Sequence, residues 1–165
     1  MYLLDVNVHE QAISHRIAVY LEQLMPDFHV DCEYNKHLGN DKLMAHVKEF
    51  INKIPTEELQ SCGCDTCKKI KELRKDGKDL EKKKIRPDII VHTRNIDSNN
   101  LMVIEVKKDR NCPFDKAKLE SLTSTYDYKY SLGVFVIFKN HTCKLVYFVN
   151  GEKVDAEDFI YKSSA

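Results

Sequence analysis

Apolar positions recur along this chain with two different periods, which predict its secondary structure. Helical spacing runs over residues 9–24, and Pro26 ends that pattern because proline cannot continue a helix. Residues 28–34 alternate between apolar and polar side chains, as a strand does. Helical spacing returns over residues 41–54, just before Pro55. The first third of the chain therefore reads as helix, strand, helix.

The remaining two thirds continue with elements of both kinds. A cysteine-rich turn leads into a charged helix, two apolar strands and another helix. A hairpin and a short final helix close the order. The predicted spans are 61–67 for the turn, to about 83 for the charged helix, 86–108 for the strand pair, 113–126 for the next helix, 133–138 and 143–149 for the hairpin, and 155–161 for the last helix.

This order predicts one α/β domain over residues 1–165, with a mixed central sheet flanked by helices. Residues 40–84 are expected to form a helical insertion after the first strand. No stretch approaches the ~20 apolar residues of a membrane span. Asp5 interrupts the start before an apolar region builds up, so we expect no secretory signal, a cytoplasmic location and no membrane partner.

Charge is balanced overall but not locally. The 26 basic and 26 acidic residues give a net charge of zero, which excludes a global basic signal for nucleic acid. Residues 68–84 hold nine Lys or Arg against four Asp or Glu. This stretch could follow a phosphate backbone, or it could be an ordinary solvated helix, and the second interpretation is the one we favour.

Charged residues interrupt the two apolar strands of residues 86–108. Asp88 begins the first strand, and Glu105 and Lys107 stand two positions apart on the second. Because side chains alternate along a strand, Glu105 and Lys107 point to one face and share it with Val103. An antiparallel hairpin would bring Asp88 close to Glu105. Two adjacent carboxylates repel each other unless a cation lies between them, and hard oxygen ligands suit Mg²⁺ or Mn²⁺.

A third acid, Glu10, comes from the first helix. It lies three residues before Ile13 and seven before Ile17, so it falls on the apolar stripe of that helix. Alone, Glu10 is equally well explained as an acid that complements the helix dipole in the first turn. Together with the strand acids and Lys107, a metal-binding role is the better interpretation.

At these residues the sequence resembles the PD-(D/E)XK nuclease superfamily. Pro87-Asp88 matches the first half of its motif and Glu105-Val106-Lys107 the second, 17 residues later. The element order around them is also similar, and many members carry an acid on the first helix, as Glu10 is here. The resemblance implies a restriction-endonuclease-like core and cleavage of phosphodiester bonds in DNA, less often in RNA, with Mg²⁺ or Mn²⁺. It implies that Glu10, Asp88 and Glu105 hold the metal, while Lys107 positions water or stabilises the transition state.

The sequence departs from the exonuclease-like members, which often carry Gln-x-x-x-Tyr on the following helix. Leu122 stands four residues before Tyr126, where those members have glutamine. Lys118 or Tyr126 could contact phosphate from this helix, although a solvated or packing role is the simpler expectation. A homodimer is left open. A second hypothesis is a catalytically silent domain of the same fold that binds nucleic acid or a protein.

Three cysteines, Cys62, Cys64 and Cys67, stand within six residues around Gly63. This spacing is typical of half a zinc site, and a tetrahedral site needs a fourth ligand. His46, Cys32 and Cys112 are candidates, and the sequence does not choose among them. Free thiols on an exposed turn are the alternative that we place slightly ahead, and redox chemistry is a weaker one.

Overall fold

The structure is a computed structural model, and the residues it describes are 8–37, 40–41, 43–44, 47–78, 83–126, 128–139 and 142–155. His46 and most of the predicted final helix, residues 156–161, lie outside this part of the chain. Five α-helices are described: α1 Glu10–Leu24, α2 Val47–Asn52, α3 Thr56–Ser61, α4 Asp65–Lys75 and α5 Pro113–Thr123.

Six strands form one sheet, and four very short strands form two separate pairs. The main sheet contains β1 His29–Cys32, β6 Ile89–His92, β7 Asn100–Lys108, β8 Leu132–Lys139, β9 Thr142–Val149 and β10 Glu152–Val154, in that spatial order. The pairs are β2 Lys36–His37 with β3 Asn40–Asp41, and β4 Leu43–Met44 with β5 Lys83–Lys84.

The main sheet is mixed. Its neighbours are antiparallel except for β7 and β8, which run parallel from the Met102–Leu132 pair to the Lys108–Phe138 pair. Parallel strands cannot be joined by a tight turn, so the chain crosses over between them, and α5 is that crossover. The predicted α/β class, with a mixed central sheet flanked by helices, is confirmed.

The two faces of β7 fill two different cores, as period-2 alternation predicts. Ile104 and Val106 pack with Ile13 and Ala18 of α1 on one face. Val103 on the other face belongs to a larger core, to which α2, α3, α4 and α5 contribute. Its members include Phe50, Ile51, Leu59, Ile70, Leu119, Leu122 and Phe135. The face that carries Glu105 and Lys107 is therefore the one covered by α5.

The segment between β1 and β6 is less helical than the sequence predicts. One helix was expected over residues 41–54, but short strands occupy 40–41 and 43–44, and α2 begins only at Val47. Backbone pairing overrides the helical spacing there, since residues 40–41 pair with the nearby 36–37 and residues 43–44 with the distant 83–84. The charged helix ends at Lys75 instead of about residue 83. Asp76 is its C-cap, and Gly77, whose φ of 65° favours glycine, comes next.

Two further differences concern the second half of the chain. Helix α5 ends at Thr123, three residues before the predicted end. A strand that the sequence did not predict, β10, pairs with β9 at the sheet edge. Within the described residues, no helix combines the length and apolar composition that crossing a membrane requires.

Helix α5 rests closely on β8 at Gly133. A Cβ atom at this position would lie 3.0 Å from Thr123 Cγ2 and 3.1 Å from the Phe148 Cβ. Both contacts are shorter than ordinary van der Waals separation, and both neighbouring atoms sit next to the backbone. The absence of a side chain at Gly133 therefore sets the distance between α5 and the sheet.

We expect Gly133→Val to lower the free energy of unfolding by about 1–3 kcal/mol, because overpacking forces the helix away from the sheet. Urea unfolding followed by circular dichroism measures this. Ser131→Val is the matched control, since that nearby side chain is exposed. Equal stability of the two variants would contradict the close packing described here.

Candidate functional site

The ammonium group of Lys107 lies among carboxylates from three separate elements. Its Nζ atom is 3.4 Å from Glu10 Oε2 of α1, 3.8 Å from Asp88 Oδ2 just before β6, and 3.4 Å from Asp115 Oδ2 of α5. The Lys107 side chain is only 16% exposed. Four segments of the chain therefore meet at this one cation.

Strand register explains why Asp88 approaches β7. Ile89 pairs with Ile104 in an antiparallel ladder, so Asp88 stands opposite Glu105. Asp88 Oδ2 also accepts a hydrogen bond of 2.8 Å from the backbone N–H of Val106. The sequence-based expectation that a hairpin brings Asp88 beside the Glu105 end of its partner agrees with this geometry.

Glu10 reaches the site from the opposite side of the sheet. Helix α1 packs on the face of Ile104 and Val106, and Glu10, in its first turn, extends past the sheet to the end of β7. There its Oε1 atom accepts a hydrogen bond of 3.1 Å from the Lys108 N–H. Glu10 thus joins the cluster through Lys107 and Lys108.

Glu105 is completely buried beneath α5, where Lys118 is its close partner. Lys118 Nζ lies 2.7 Å from Glu105 Oε2 and 3.1 Å from Asp115 Oδ1. Lys118 is the donor beside Oε2, whereas Oε1 of Glu105 has no hydrogen-bond donor within the described residues. Lys118 is buried, so of its two expected roles the solvated one is wrong and the packing one agrees with the structure, with its charge inside the site. Tyr126, the other candidate on this segment, is 65% exposed.

Asp115 was not among the site residues predicted from the sequence. The sequence did contain an indication of its role, since Asp115 and Lys118 are spaced i,i+3 on a helix that follows the Glu105–Lys107 strand. That spacing is equally typical of a solvated helix surface. Only the packing of α5 on the sheet shows that both side chains face inwards.

The pKa shifts of three carboxylates in this cluster, those of Asp88, Glu105 and Asp115, differ in direction. Burial would raise the pKa of Asp115, but Lys118 and Lys107 outweigh it and hold that pKa below its ordinary value. Burial raises the pKa of Asp88 despite Lys107, and raises that of Glu105 well above its ordinary value despite Lys118. Four acids face two lysines, so the cluster carries excess negative charge when all its acids are ionised.

Both lysines stay protonated. Burial would lower the pKa of Lys107, but Asp115 and Asp88 outweigh it, and the pKa is raised. Burial acts in the same way on Lys118, where Glu105 and Asp115 more than compensate, and the pKa is raised there too. Neither lysine is therefore a base at neutral pH, and each acts as a fixed positive charge.

An open cleft of about 470 Å³ gives access to the cluster. Glu10, Lys107, Asp115 and Lys118 line one part of it, together with Cys64 and Cys112. Three exposed basic side chains border the same cleft: Lys84, Arg86 and Arg110. Lys84 is the last residue of the charged stretch 68–84.

Four cysteine sulfurs converge beside this cleft. The Sγ atoms of Cys62, Cys64, Cys67 and Cys112 all lie within 4.8 Å of one another, and the four could hold a metal ion such as zinc. Of the candidates for the fourth ligand, Cys112 is thus the one that lies beside the other three thiols. Cys32 is exposed and lies apart, at the end of β1. The expectation that these thiols are exposed was wrong for Cys62 and Cys67, which are buried.

The pKa values of Asp88 and Asp115 are shifted in opposite directions, so variants of these two residues should change stability in opposite directions. A carboxyl whose pKa is raised on folding reduces stability as the pH rises above its ordinary value of 3.8, and one whose pKa is lowered stabilises above that value. At pH 8, without added divalent metal, we therefore expect Asp88→Asn to raise the free energy of unfolding and Asp115→Asn to lower it.

The effect of Asp88→Asn should fade as the pH falls towards 3.8, and that of Asp115→Asn only as the pH falls below 3.8. Urea unfolding at several pH values measures both. Each unit of pKa difference between the folded and unfolded chain corresponds to about 1.4 kcal/mol. Shifts of the same sign for the two variants would contradict the charge distribution given above.

Comparison of the chain with protein-family models, with curated proteins and with solved structures found no match.

Proposed function

We propose that this protein is a nuclease with a restriction-endonuclease-like core, which hydrolyses phosphodiester bonds in DNA with Mg²⁺ or Mn²⁺. The observation that carries the proposal is the convergence of Glu10, Asp88 and Asp115 on Lys107, with Glu105 alongside, at the side of an open cleft. The resemblance of Pro87-Asp88 and Glu105–Lys107 to the PD-(D/E)XK motif supports the same function.

The donor set of the cluster fits a hard divalent cation. Its ligands would be carboxylate oxygens of Asp88, Glu105 and Glu10, the type that Mg²⁺ and Mn²⁺ prefer. Oε1 of Glu105 has no hydrogen-bond donor in the described part of the chain, although a buried carboxylate oxygen normally has one. A bound cation would offset the excess negative charge of the cluster and would lower the pKa of a bound water.

The residues of the chain then have separate roles. In the reaction, a water oxygen forms a bond to phosphorus, the bond from phosphorus to the leaving oxygen breaks, and the water proton ends on the leaving group. Lys107, held protonated by its carboxylates, orients the phosphate and balances the charge that develops on its oxygens. Lys118 stays with Glu105 and Asp115 and keeps Glu105 in place beneath α5.

Two backbone amides position the carboxylates before any substrate binds. The Val106 N–H holds Asp88, and the Lys108 N–H holds Glu10. Both amides belong to β7, the strand that also carries Glu105 and Lys107. A single strand therefore sets the distances among the catalytic groups, which is the preorganisation that electrostatic catalysis needs.

Basic side chains beside the cluster form a surface that would bind the phosphates of DNA. Arg110 borders both the cleft of the candidate site and a second cleft of about 570 Å³. In the second cleft basic residues outnumber acidic ones by five to two, and the four besides Arg110 are Lys116, Lys139, Lys144 and Lys153. A phosphate backbone that passes the candidate site would meet positive charge on this side.

We expect the purified protein to cleave plasmid or linear DNA when Mg²⁺ or Mn²⁺ is added and not without it. Asp88→Asn and Glu105→Gln should lower the cleavage rate at least ~10²-fold, the usual effect of removing a group that stabilises the transition state. Added Mn²⁺ should raise the melting temperature of the parent and leave that of both variants unchanged, because a bound ligand stabilises only the state that binds it.

Lys107→Met separates catalysis from metal binding. It should lose cleavage while Mn²⁺ still raises its melting temperature, because lysine is not a ligand. Glu57→Gln, which removes an exposed carboxylate on α3, is the control and should cleave like the parent. Equal cleavage by the parent and by Asp88→Asn would exclude the proposed site. DNA binding without cleavage and without a Mn²⁺ effect would instead identify the silent domain.

The salt dependence of DNA binding should locate the path of the phosphates. The triple variant Lys84→Ser, Arg86→Ser and Arg110→Ser should flatten the slope of log K against log salt by about 0.9 for each duplex phosphate that these side chains neutralise in the parent. Weaker binding should be similar for all DNA sequences, since phosphate contacts carry no sequence information.

The matched control removes three exposed lysines of α4, Lys69, Lys71 and Lys75, which are not among the residues that line the cleft. This second triple variant should bind with the slope of the parent. A flattened slope in the control and an unchanged slope in the first variant would place the path along the charged helix instead.

A further inference from the structure

We propose that Cys62, Cys64, Cys67 and Cys112 bind one Zn²⁺ in a closed tetrathiolate site, which joins the segment between β1 and β6 to the start of α5. Three of these thiols come from that segment, and the fourth comes from the residue that precedes α5. The site is separate from the carboxylate cluster and does not depend on the proposed nuclease activity.

The separations of the sulfurs fit a single ion. Tetrahedral zinc with Zn–S bonds of about 2.3 Å places its sulfurs about 3.8 Å apart. Here the Sγ atoms of Cys62 and Cys64 are 3.4 Å apart, and those of Cys64 and Cys112 are 3.6 Å apart. The upper limit of 4.8 Å for any pair leaves space for one ion and excludes a cluster of several iron atoms between the four thiols.

Two helix N-termini favour the charge that such a site would carry. Zinc with four thiolates has a net charge of −2, and the four thiol protons pass to solvent when the ion binds. Cys64 is the N-cap of α4, and its Sγ atom accepts a hydrogen bond of 3.4 Å from the Cys67 N–H. Cys112 is the N-cap of α5. Both positions lie at the positive end of a helix dipole, where thiolates are stabilised.

Burial indicates a structural site. Cys67, Cys112 and Cys62 are 0%, 2% and 6% exposed, so a substrate or water has little access to the ion. Four protein thiols also complete the coordination of zinc and leave no open position for catalysis. Cys64 borders the cleft, which gives the ion a route into the site.

The position of Cys112 has a consequence for the carboxylate cluster. It precedes Asp115 by three residues and Lys118 by six, so zinc would fix the end of the helix that presents both side chains. The same ion would hold the end of α3 and the start of α4, since Cys62 follows α3, Cys64 precedes α4 and Cys67 lies in the first turn of α4. Zinc would then tie the segment between β1 and β6 to the helix of the carboxylate cluster.

Metal analysis and thiol reactivity of the parent protein test the proposal. Protein purified without added zinc should contain one zinc per chain. In the native state a thiol reagent should modify Cys32 and Cys143, which are exposed. The other four thiols should react only when a mercurial is added, and a zinc indicator should then register one released ion per chain.

Alanine variants provide the matched comparison. Cys67→Ala and Cys112→Ala should lose zinc and melt at lower temperature, whereas Cys32→Ala and Cys143→Ala should keep zinc and the parent melting temperature. Should the first two variants fail to fold, the measurements on the parent decide. Less than about a tenth of an equivalent of zinc, with all six native thiols reactive and no change of melting temperature on adding Zn²⁺, would overturn the proposal, as would one iron in place of zinc. None of these measurements depends on DNA cleavage.

Discussion

The burial of charged side chains between the sheet and α5 is the constraint on which the rest of this structure depends. Glu105 and Lys118 are both removed from water, and moving an isolated ion into a protein interior costs several kcal/mol. Each can be buried only because the other lies 2.7 Å away. The register of β7 and the position of α5 are therefore coupled, since a shift of either would leave a buried charge without its partner.

Helix α5 is the element that connects the parts of the molecule. It crosses over between the parallel strands β7 and β8, and Gly133 allows it to approach the sheet. Its first turns carry the residues that reach the carboxylates and the thiols, and its buried face packs with α2 in the larger core. One helix of 11 residues therefore sets the positions of the two candidate sites relative to each other.

Much of the fold could be predicted because it depends on local patterns. Alternation along β7 placed Ile104 and Val106 in one core and Glu105 with Lys107 on the other face, and hairpin geometry brought Asp88 to that face. The short strand at residues 43–44 could not be predicted, because its partner at residues 83–84 is distant in sequence. Registers of this kind carry no local signal.

The residues of the candidate sites also divide into those that local spacing predicts and those that only tertiary packing brings together. The acids on the strands and the three clustered cysteines stand in recognisable spacings, whereas Asp115, Lys118 and Cys112 become part of a site only through the packing of α5. A solvated helix and a helix that faces a buried charge can have the same i,i+3 pair. The contacts that complete both clusters are therefore tertiary. A single sequence does not distinguish them from contacts on a solvated helix surface.

The carboxylate cluster is poorly explained as a stabilising device. A buried ion pair contributes little net stability, and apolar residues of similar volume often serve as well. Here the acids exceed the lysines, the pKa of Asp88 and of Glu105 is raised, and Oε1 of Glu105 has no hydrogen-bond donor among the described residues. Ionisation of Asp88 and of Glu105 therefore reduces stability. Ionisable groups with strongly shifted pKa values beside a cleft are typical of sites that bind or react. The cost in stability is thus the physical argument for a ligand of positive charge at this position.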